Sequence, residues 1–379
     1  MTLIPKEPVW VDSSAELAEL CQRWSQQSAI GVDTEFMRTS TFYPITALFQ
    51  VGDGQGCYLL DPLAIDDFAP FRALMANDKV VKVFHSCSED FEVFQTFLSV
   101  VPTPVFDTQV AAALAGYGFS LGYAKLVETL LNIEVPKSET RSDWLQRPLS
   151  VSQLQYAALD VAYLPVVYGM LVKRLREQGR MAWVEEDCRE LVVQAQAPAD
   201  ADLAYQKIKL AWKLKPQQLA VLQGVSRWRE LEARHRDVPR NRVLKERAMW
   251  DMARLQPTEL KQLSGLEGIT PRMIREDGDG LLDLIAECAH LPESQWPQSL
   301  PAPLAPEHGD LLKALKQYVR DQADALDLPP EVLVRKKDYE DLIRNGMDNS
   351  GYSLNSRLSG WRREVVGDGL LNLATQFAR

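Results

Sequence analysis

Short apolar runs separated by turn residues dominate the first part of the chain. Ile30–Phe36, Ala47–Val51 and Tyr58–Leu60 each have strand length, so the segment up to about Val83 reads as β-rich. Gly52-Asp53-Gly54-Gln55-Gly56 joins two of these runs. With no helix behind it and no Lys-Ser/Thr, it reads as a hairpin turn and not as a phosphate-cradling loop. Val80-Val81-Lys82-Val83-Phe84 reads as a further strand, buried on both faces. The period then lengthens: Phe91, Phe94 and Leu98 recur at helical spacing behind Ser88, a candidate N-cap. Val105–Thr108 leads into an Ala-rich helix, Leu121–Leu131 carries another, and a long helix starts near Ser152. Strands followed by alternating strands and helices indicate an α/β domain with a mixed sheet.

Gln194–Asp202 has the composition of a linker, and beyond it the pattern is almost wholly helical. A proline-rich stretch, 291–307, is a second linker. The segments on either side of it resemble each other. Gly278-Asp279-Gly280-Leu281-Leu282 recurs as Gly367-Asp368-Gly369-Leu370-Leu371, and Asp237-Val238-Pro239 echoes Asp327-Leu328-Pro329. This predicts an internal repeat of a small helical domain, with a D-x-P turn and a glycine turn before the closing helix. The expected domains are therefore 1–195, 208–290 and 308–379.

A length of 379 residues agrees with two or three domains, and 46% hydrophobic with 25% charged residues is a globular composition. No run suggests a membrane span, and the first residues lack a secretory pattern. The cysteines (Cys21, Cys57, Cys87, Cys188, Cys288) are scattered, which argues against a disulfide framework or zinc site and for a reducing cytoplasm. A net charge of −10 does not suggest a nucleic-acid binder, but the charge is uneven: Tyr205–Arg254 holds 13 Lys/Arg against 5 Asp/Glu. That segment can meet phosphates.

The chemistry concentrates on Gly31-Val32-Asp33-Thr34-Glu35-Phe36. Strand side chains alternate, so Asp33 and Glu35 share a face, and two adjacent carboxylates call for a cation. Asp90 falls in the first turn of a helix after a strand; the helix dipole alone accounts for an acid there. Tyr156 and Asp160 are four apart, on one face of a helix. Together the four acids are the inventory of a two-metal phosphodiesterase, with the Tyr156 phenol placed to orient or deprotonate a water.

Asp-x-Glu, an Asp at a later helix start, and Tyr-x-x-x-Asp resemble the three motifs of the DEDDy 3′-5′ exonucleases. Val32–Arg38, His85–Asp90 and Ser142-Asp143-Trp144 with Arg147-Pro148-Leu149 more closely resemble the bacterial ribonuclease D family. The repeat, with Pro239, Asn241 and Leu244, resembles paired HRDC domains, the second divergent through an insertion at 345–352. The resemblance implies an α/β ribonuclease H-like exonuclease domain followed by two all-α HRDC domains. It implies an exoribonuclease that releases nucleoside 5′-monophosphates and trims the 3′ ends of tRNA precursors and other small structured RNAs. Asp33, Glu35, Asp90 and Asp160 would hold two divalent ions (Mg²⁺ or Mn²⁺), and Tyr156 would act on the water.

Phe36 and Met37 are candidates for gripping terminal bases, with core packing the alternative for Phe36. Tyr43 and Arg141 are candidates for phosphate contact. His85 fits a capping or supporting role better than that of a base, and Glu89 reads as a helix-start acid. The expected protein is cytoplasmic and monomeric, with RNA as its partner. The rival readings are an exonuclease acting on DNA and a non-catalytic RNA-binding scaffold.

Overall fold

The computed structural model describes residues 7–136, 139, 142–347 and 351–377. Contacts divide the chain into two compact units. The first takes in residues up to Met37, Thr46–Ala197 and Leu304 onward; the second takes in Arg38–Ile45 and Pro198–Pro303.

The first unit holds a sheet in the order β1-β4-β3-β2-β5-β6: β1 (Val9–Val11), β2 (Ala29–Met37), β3 (Ile45–Gly52), β4 (Cys57–Leu60), β5 (Val81–Phe84) and β6 (Val105–Asp107). β3 and β4 run antiparallel, whereas β1 with β4, β2 with β5 and β5 with β6 run parallel, so the sheet is mixed as expected. The β3–β4 connection is the predicted hairpin, closed by Asp53, whose Oδ1 accepts from the Gln55 and Gly56 amides at 2.9 and 2.8 Å.

The opening segment is less purely β than its apolar runs suggest. Two helices interrupt it, α1 (Ser14–Trp24) and α2 (Ala69–Met75). In α1, Leu17, Leu20, Cys21 and Trp24 recur at helical spacing behind the N-cap Ser13 and bury one stripe. With α3 (Ser88–Leu98) they cover one sheet face, around Ile30, Val32, Phe49 and Phe84. Cys87, not Ser88, occupies the N-cap of α3. β5 is buried as predicted, yet it includes Lys82, whose ammonium is surrounded by the carbonyls of Asn77, Val80 and Thr103 at 2.5–2.7 Å. Three acceptors offset the cost of burying that charge.

The other face carries α4 (Thr108–Leu114), α5 (Tyr123–Leu131), α6 (Val151–Ala162), α7 (Leu164–Glu177) and α8 (Met181–Gln196). The long helix expected near Ser152 is therefore two. Val151–Glu177 has the length and apolarity of a membrane span. Its stripe of Ala157, Ala158, Val161, Leu164, Val167 and Leu171 is instead buried in the core. The α6–α7 junction lies against two glycines of the sheet. A Cβ at Gly52 would sit 2.3 Å from the Val161 carbonyl oxygen, and one at Gly31 would sit 2.8 Å from Leu164 Cβ.

The second unit is helical: α9 (Pro216–His235), α10 (Arg240–Val243), α11 (Glu246–Leu255), α12 (Leu260–Ser264) and α13 (Pro271–Ala289). It also holds the segment that follows β2, because the Asp237 carboxylate accepts from the Phe42 and Tyr43 amides at 2.9 and 3.0 Å. The predicted repeat reappears beyond the proline-rich stretch as α14 (Gly309–Leu326), α15 (Pro330–Leu333), α16 (Lys336–Met347), α17 (Gly360–Arg362) and α18 (Asp368–Phe377). Asp237 and Asp327 both have left-handed backbones at helix ends, which makes the D-x-P turn real. The glycine "turn" is not one. α13 runs straight through Gly278–Gly280, where a Cβ on Gly278 would meet Leu260 Cδ2 at 2.9 Å; Gly278 admits a neighbour, and Gly280 faces open space.

The second copy also departs from the separate domain expected at 308–379. It shares the hydrophobic core of α4–α8. The Trp183 and Trp361 rings stack 4.4 Å apart, and Arg362 grips Asp187 with two bonds of 2.6 and 2.7 Å. In the first copy several arginines are paired with acids, while the local excess of positive charge remains. Arg234 and Arg240 pair with Glu230, Arg236 with Glu232 and Asp277, and Arg247 and Arg254 with Asp251.

Gly52→Ala tests the close approach of the α6–α7 junction. Its expected effect is a loss of about 1–3 kcal/mol of unfolding free energy in urea, the usual cost of overpacking. Unchanged stability would contradict the contact.

Candidate functional site

β2 enters the site as a buried strand and leaves it as a half-buried one. Ile30, Val32 and Thr34 turn toward the α1–α3 side, and Gly31, Asp33 and Glu35 turn toward α6 and α7. α6 starts from a capping box, in which Ser150 Oγ accepts from Gln153 N and Gln153 Oε1 accepts from Ser150 N. Three turns later it delivers Asp160 opposite the strand. Carboxylate oxygens of Asp33, Glu35 and Asp160 lie within 4.8 Å of one another.

Asp90 joins from the first turn of α3. It is buried, and Thr34 Oγ1 donates to its Oδ1 at 2.5 Å. Of the four acids expected to converge, the structure brings the oxygens of Asp33, Glu35 and Asp160 together and places Asp90 beside them, its charge felt by both Asp33 and Glu35. Tyr156, one turn before Asp160, makes the hydrogen bond that opposes burial at Asp160.

Burial and mutual repulsion set the protonation of these acids. Burial, then the charges of Asp90, Asp160 and Glu35, hold the Asp33 carboxyl well above the usual range. Burial and the neighbouring acids push Glu35 up to about 9. Burial lifts Asp90 to about 7 against the Thr34 bond, and Asp160 to about 7 against the Tyr156 bond. The Tyr156 phenol is raised as well, by burial and by Asp160, so it is neutral in the metal-free chain. Hard oxygen donors that cannot ionise together without added positive charge fit a divalent cation.

The remaining candidates separate. Phe36 is half-buried against the α1–α3 core, and Met37 is half-buried after it. Tyr43 is exposed in the second unit, Glu89 is exposed on α3, and Arg141 lies outside the described residues. His85 is no member of the acid set. Its Nδ1 lies 2.9 Å from Thr108 Oγ1, its ring meets Tyr123 edge-on, and burial lowers its pKa. Arg147, noted only as part of a motif, anchors the loop before α6. It holds both oxygens of Asp61, at 2.6 and 2.9 Å, and the Ala47 carbonyl at 2.7 Å. Gln50 on β3 gave no sequence signal, since an amide in an apolar strand does not announce a site. It is fully buried with both amide atoms unpaired among the described residues.

Residues 8–176 match the 3′-5′ exonuclease family model, and residues 218–285 match the HRDC domain model. Fold and site thus define a 3′-5′ exonuclease, a hydrolase of the divalent-metal-dependent kind. The chain is 48% identical over 372 residues to Ribonuclease D of Pseudomonas paraeruginosa, covering 98% of this chain and 99% of that one. It is 35% identical to Ribonuclease D of Escherichia coli K12, over 95% and 96% of the two. The crystal structure of Escherichia coli RNase D, an exoribonuclease involved in structured RNA processing, matches with a TM-score of 0.90 at 34% identity, over 98% of this chain and 100% of that one. A protein from Bifidobacterium adolescentis shares the fold at 21% identity and a TM-score of 0.68. The chain belongs to the ribonuclease D family.

The raised carboxylates fix a sign for pH dependence. In the metal-free protein they keep protons that the unfolded chain loses near pH 4, so folding stability falls as pH rises from about 4 through about 7 to 9. The Tm in EDTA should drop between about pH 5 and about pH 8.5, and Mn²⁺ should raise it most at the upper end. Glu35→Gln should flatten the drop; an identical slope in that variant would contradict the assignment.

Proposed function

We propose that this chain removes nucleotides one at a time from the 3′ ends of RNA, tRNA precursors and other small structured RNAs among them, releasing nucleoside 5′-monophosphates. The observation that carries the reading is the trio Asp33, Glu35 and Asp160 with oxygens within 4.8 Å, and buried Asp90 beside it. In this reading these four acids hold two divalent ions, Mg²⁺ or Mn²⁺. Such ions supply Lewis-acid charge at the scissile phosphate and make a water acidic enough to attack it.

The chain's own residues do the rest. Thr34 keeps Asp90 oriented through its hydroxyl. Tyr156, a turn from Asp160, is placed to orient or deprotonate the attacking water. Phe36 and Met37, at the end of the same strand, are in sequence reach of a terminal base, and Arg141 remains a candidate phosphate contact. The RNA preference is supported by the whole-chain likeness to relatives named as ribonucleases. Metal chemistry alone does not separate ribose from deoxyribose, so DNA is the competing substrate. A cytoplasmic location agrees with the scattered, buried, free cysteines, and the chain acts as a monomer in this reading.

The test is a 5′-labelled, 3′-extended tRNA precursor incubated with Mg²⁺ or Mn²⁺. Stepwise shortening that stops in EDTA and in Asp33→Asn is expected, and an unchanged ladder in that variant sinks the assignment. The equivalent DNA should be shortened poorly. Tyr156→Phe should lower kcat by about 10²-fold or more while Mn²⁺ binding persists; a wild-type rate would remove the phenol from the mechanism.

A further inference from the structure

Asp160 can serve the site only if the last turn of α6 holds its place over β2, and that turn ends at a break. A continuous helix would join the Tyr163 amide to the Leu159 carbonyl directly. Here the hydroxyl of Tyr123, the first residue of α5, stands between them. It donates to Leu159 O at 2.9 Å and accepts from Tyr163 N at 3.3 Å. A side chain inserted into the helical ladder is a recognised cause of a sharp bend. Pro165 strengthens the break, having no N–H to offer Val161 O. That carbonyl turns onto the sheet where Gly31 and Gly52 leave room.

The two backbone groups that Tyr123 holds bracket Asp160, one immediately before it and one three residues after. The same ring packs edge-on against His85, with centroids 5.7 Å apart. His85 is in turn fixed: Thr108 Oγ1 donates to Phe84 O at 2.9 Å, which leaves its oxygen to receive the His85 Nδ1 proton. His85 lies just ahead of α3, the helix that carries Asp90. Tyr123 thus touches the supports of two acid-bearing helices, and among the described residues its hydroxyl is hydrogen-bonded to backbone and not to the acid trio.

We propose that Tyr123 is a positioning residue for the metal centre: its hydroxyl pins the α6–α7 bend and so sets where the Asp160 carboxylate stands relative to Asp33 and Glu35. The inference rests on the reading of those acids as metal ligands. Burial, with the charges of Asp160 and Asp33 nearby, keeps the phenol protonated and therefore able to donate. A role of this kind outside the ligands governs metal affinity by about 10- to 100-fold in other metal sites.

The test is Tyr123→Phe in the full chain, which removes one oxygen and keeps the ring against His85. Mn²⁺ binding is titrated calorimetrically, and kcat and KM are measured on the 3′-extended RNA across a range of Mn²⁺ concentrations. The expected result is Mn²⁺ affinity weaker by about 10-fold or more, a matching rise in the Mn²⁺ needed for half-maximal kcat, and an unchanged KM for RNA. A variant that loses a few degrees of Tm yet binds Mn²⁺ within about twofold of wild type overturns the proposal and leaves Tyr123 a stability residue. Hydroxyl-bearing 3-fluorotyrosine at the same position should restore the affinity; failure to do so while Tyr123→Phe binds weakly would also overturn it. Because binding is read without turnover, a wild-type chain that binds Mn²⁺ but shortens no RNA sinks the exonuclease reading alone, and the Tyr123 comparison stands on the isotherm.

Discussion

The mutual repulsion of carboxylates gathered at a half-buried site is the constraint on which this fold turns. Asp33, Glu35 and Asp160 have oxygens within 4.8 Å of one another, and Asp90 adds its charge from a buried helix start. Burial and proximity raise all four, so the apo site is tenable only by keeping protons. A bound divalent ion would take the place of those protons. The protein arranges hydrogen bonds that favour the ionised form at chosen points, Thr34 on Asp90 and Tyr156 on Asp160, and leaves the remaining imbalance to added positive charge.

Holding the acids together against that repulsion is the work of elements that carry no charge. Alternation along β2 puts both strand acids on the α6–α7 side. Gly31 and Gly52 let the helix junction settle onto the sheet, and Tyr123 fixes the bend through its hydroxyl. Arg147 ties the loop ahead of α6 to Asp61 and Ala47, so both ends of that helix are anchored. The second helical copy extends the same support, because Trp361 and Arg362 fasten it to Trp183 and Asp187 on α8. Within the other unit, Asp237 in the D-x-P turn of the first copy holds the Phe42 and Tyr43 amides.

What could be read from the chain was what local pattern encodes. The acids of β2, the Tyr156–Asp160 spacing, the Asp53 hairpin and the D-x-P repeat all depend on neighbours a few residues apart. What escaped depends on partners far along the chain. The α6–α7 break needs the Tyr123 hydroxyl from 36 residues before Leu159 and glycines from two strands, so the apolar run from Val151 to Glu177 reads as one long helix. The repeated Gly-Asp-Gly reads as a turn, because nothing local says that Leu260 must pack against Gly278. The union of the second copy with the catalytic unit rests on a tryptophan stack and a bidentate ion pair across more than 170 positions. The basic cluster also meets acids from outside 205–254, Asp277 on Arg236 and Asp202 on Arg227, which a count along the chain leaves out.

The most direct test of this account is the number of protons released when the metal-free chain binds Mn²⁺ near pH 7. It is measured by calorimetry in buffers of different ionisation enthalpy. If acids kept protonated by burial and by one another are the ligands, binding releases about one proton or more per chain, and the release shrinks in Glu35→Gln. Binding with no proton release at that pH would mean the carboxylates are already ionised, and the repulsion at the centre of this account would not exist.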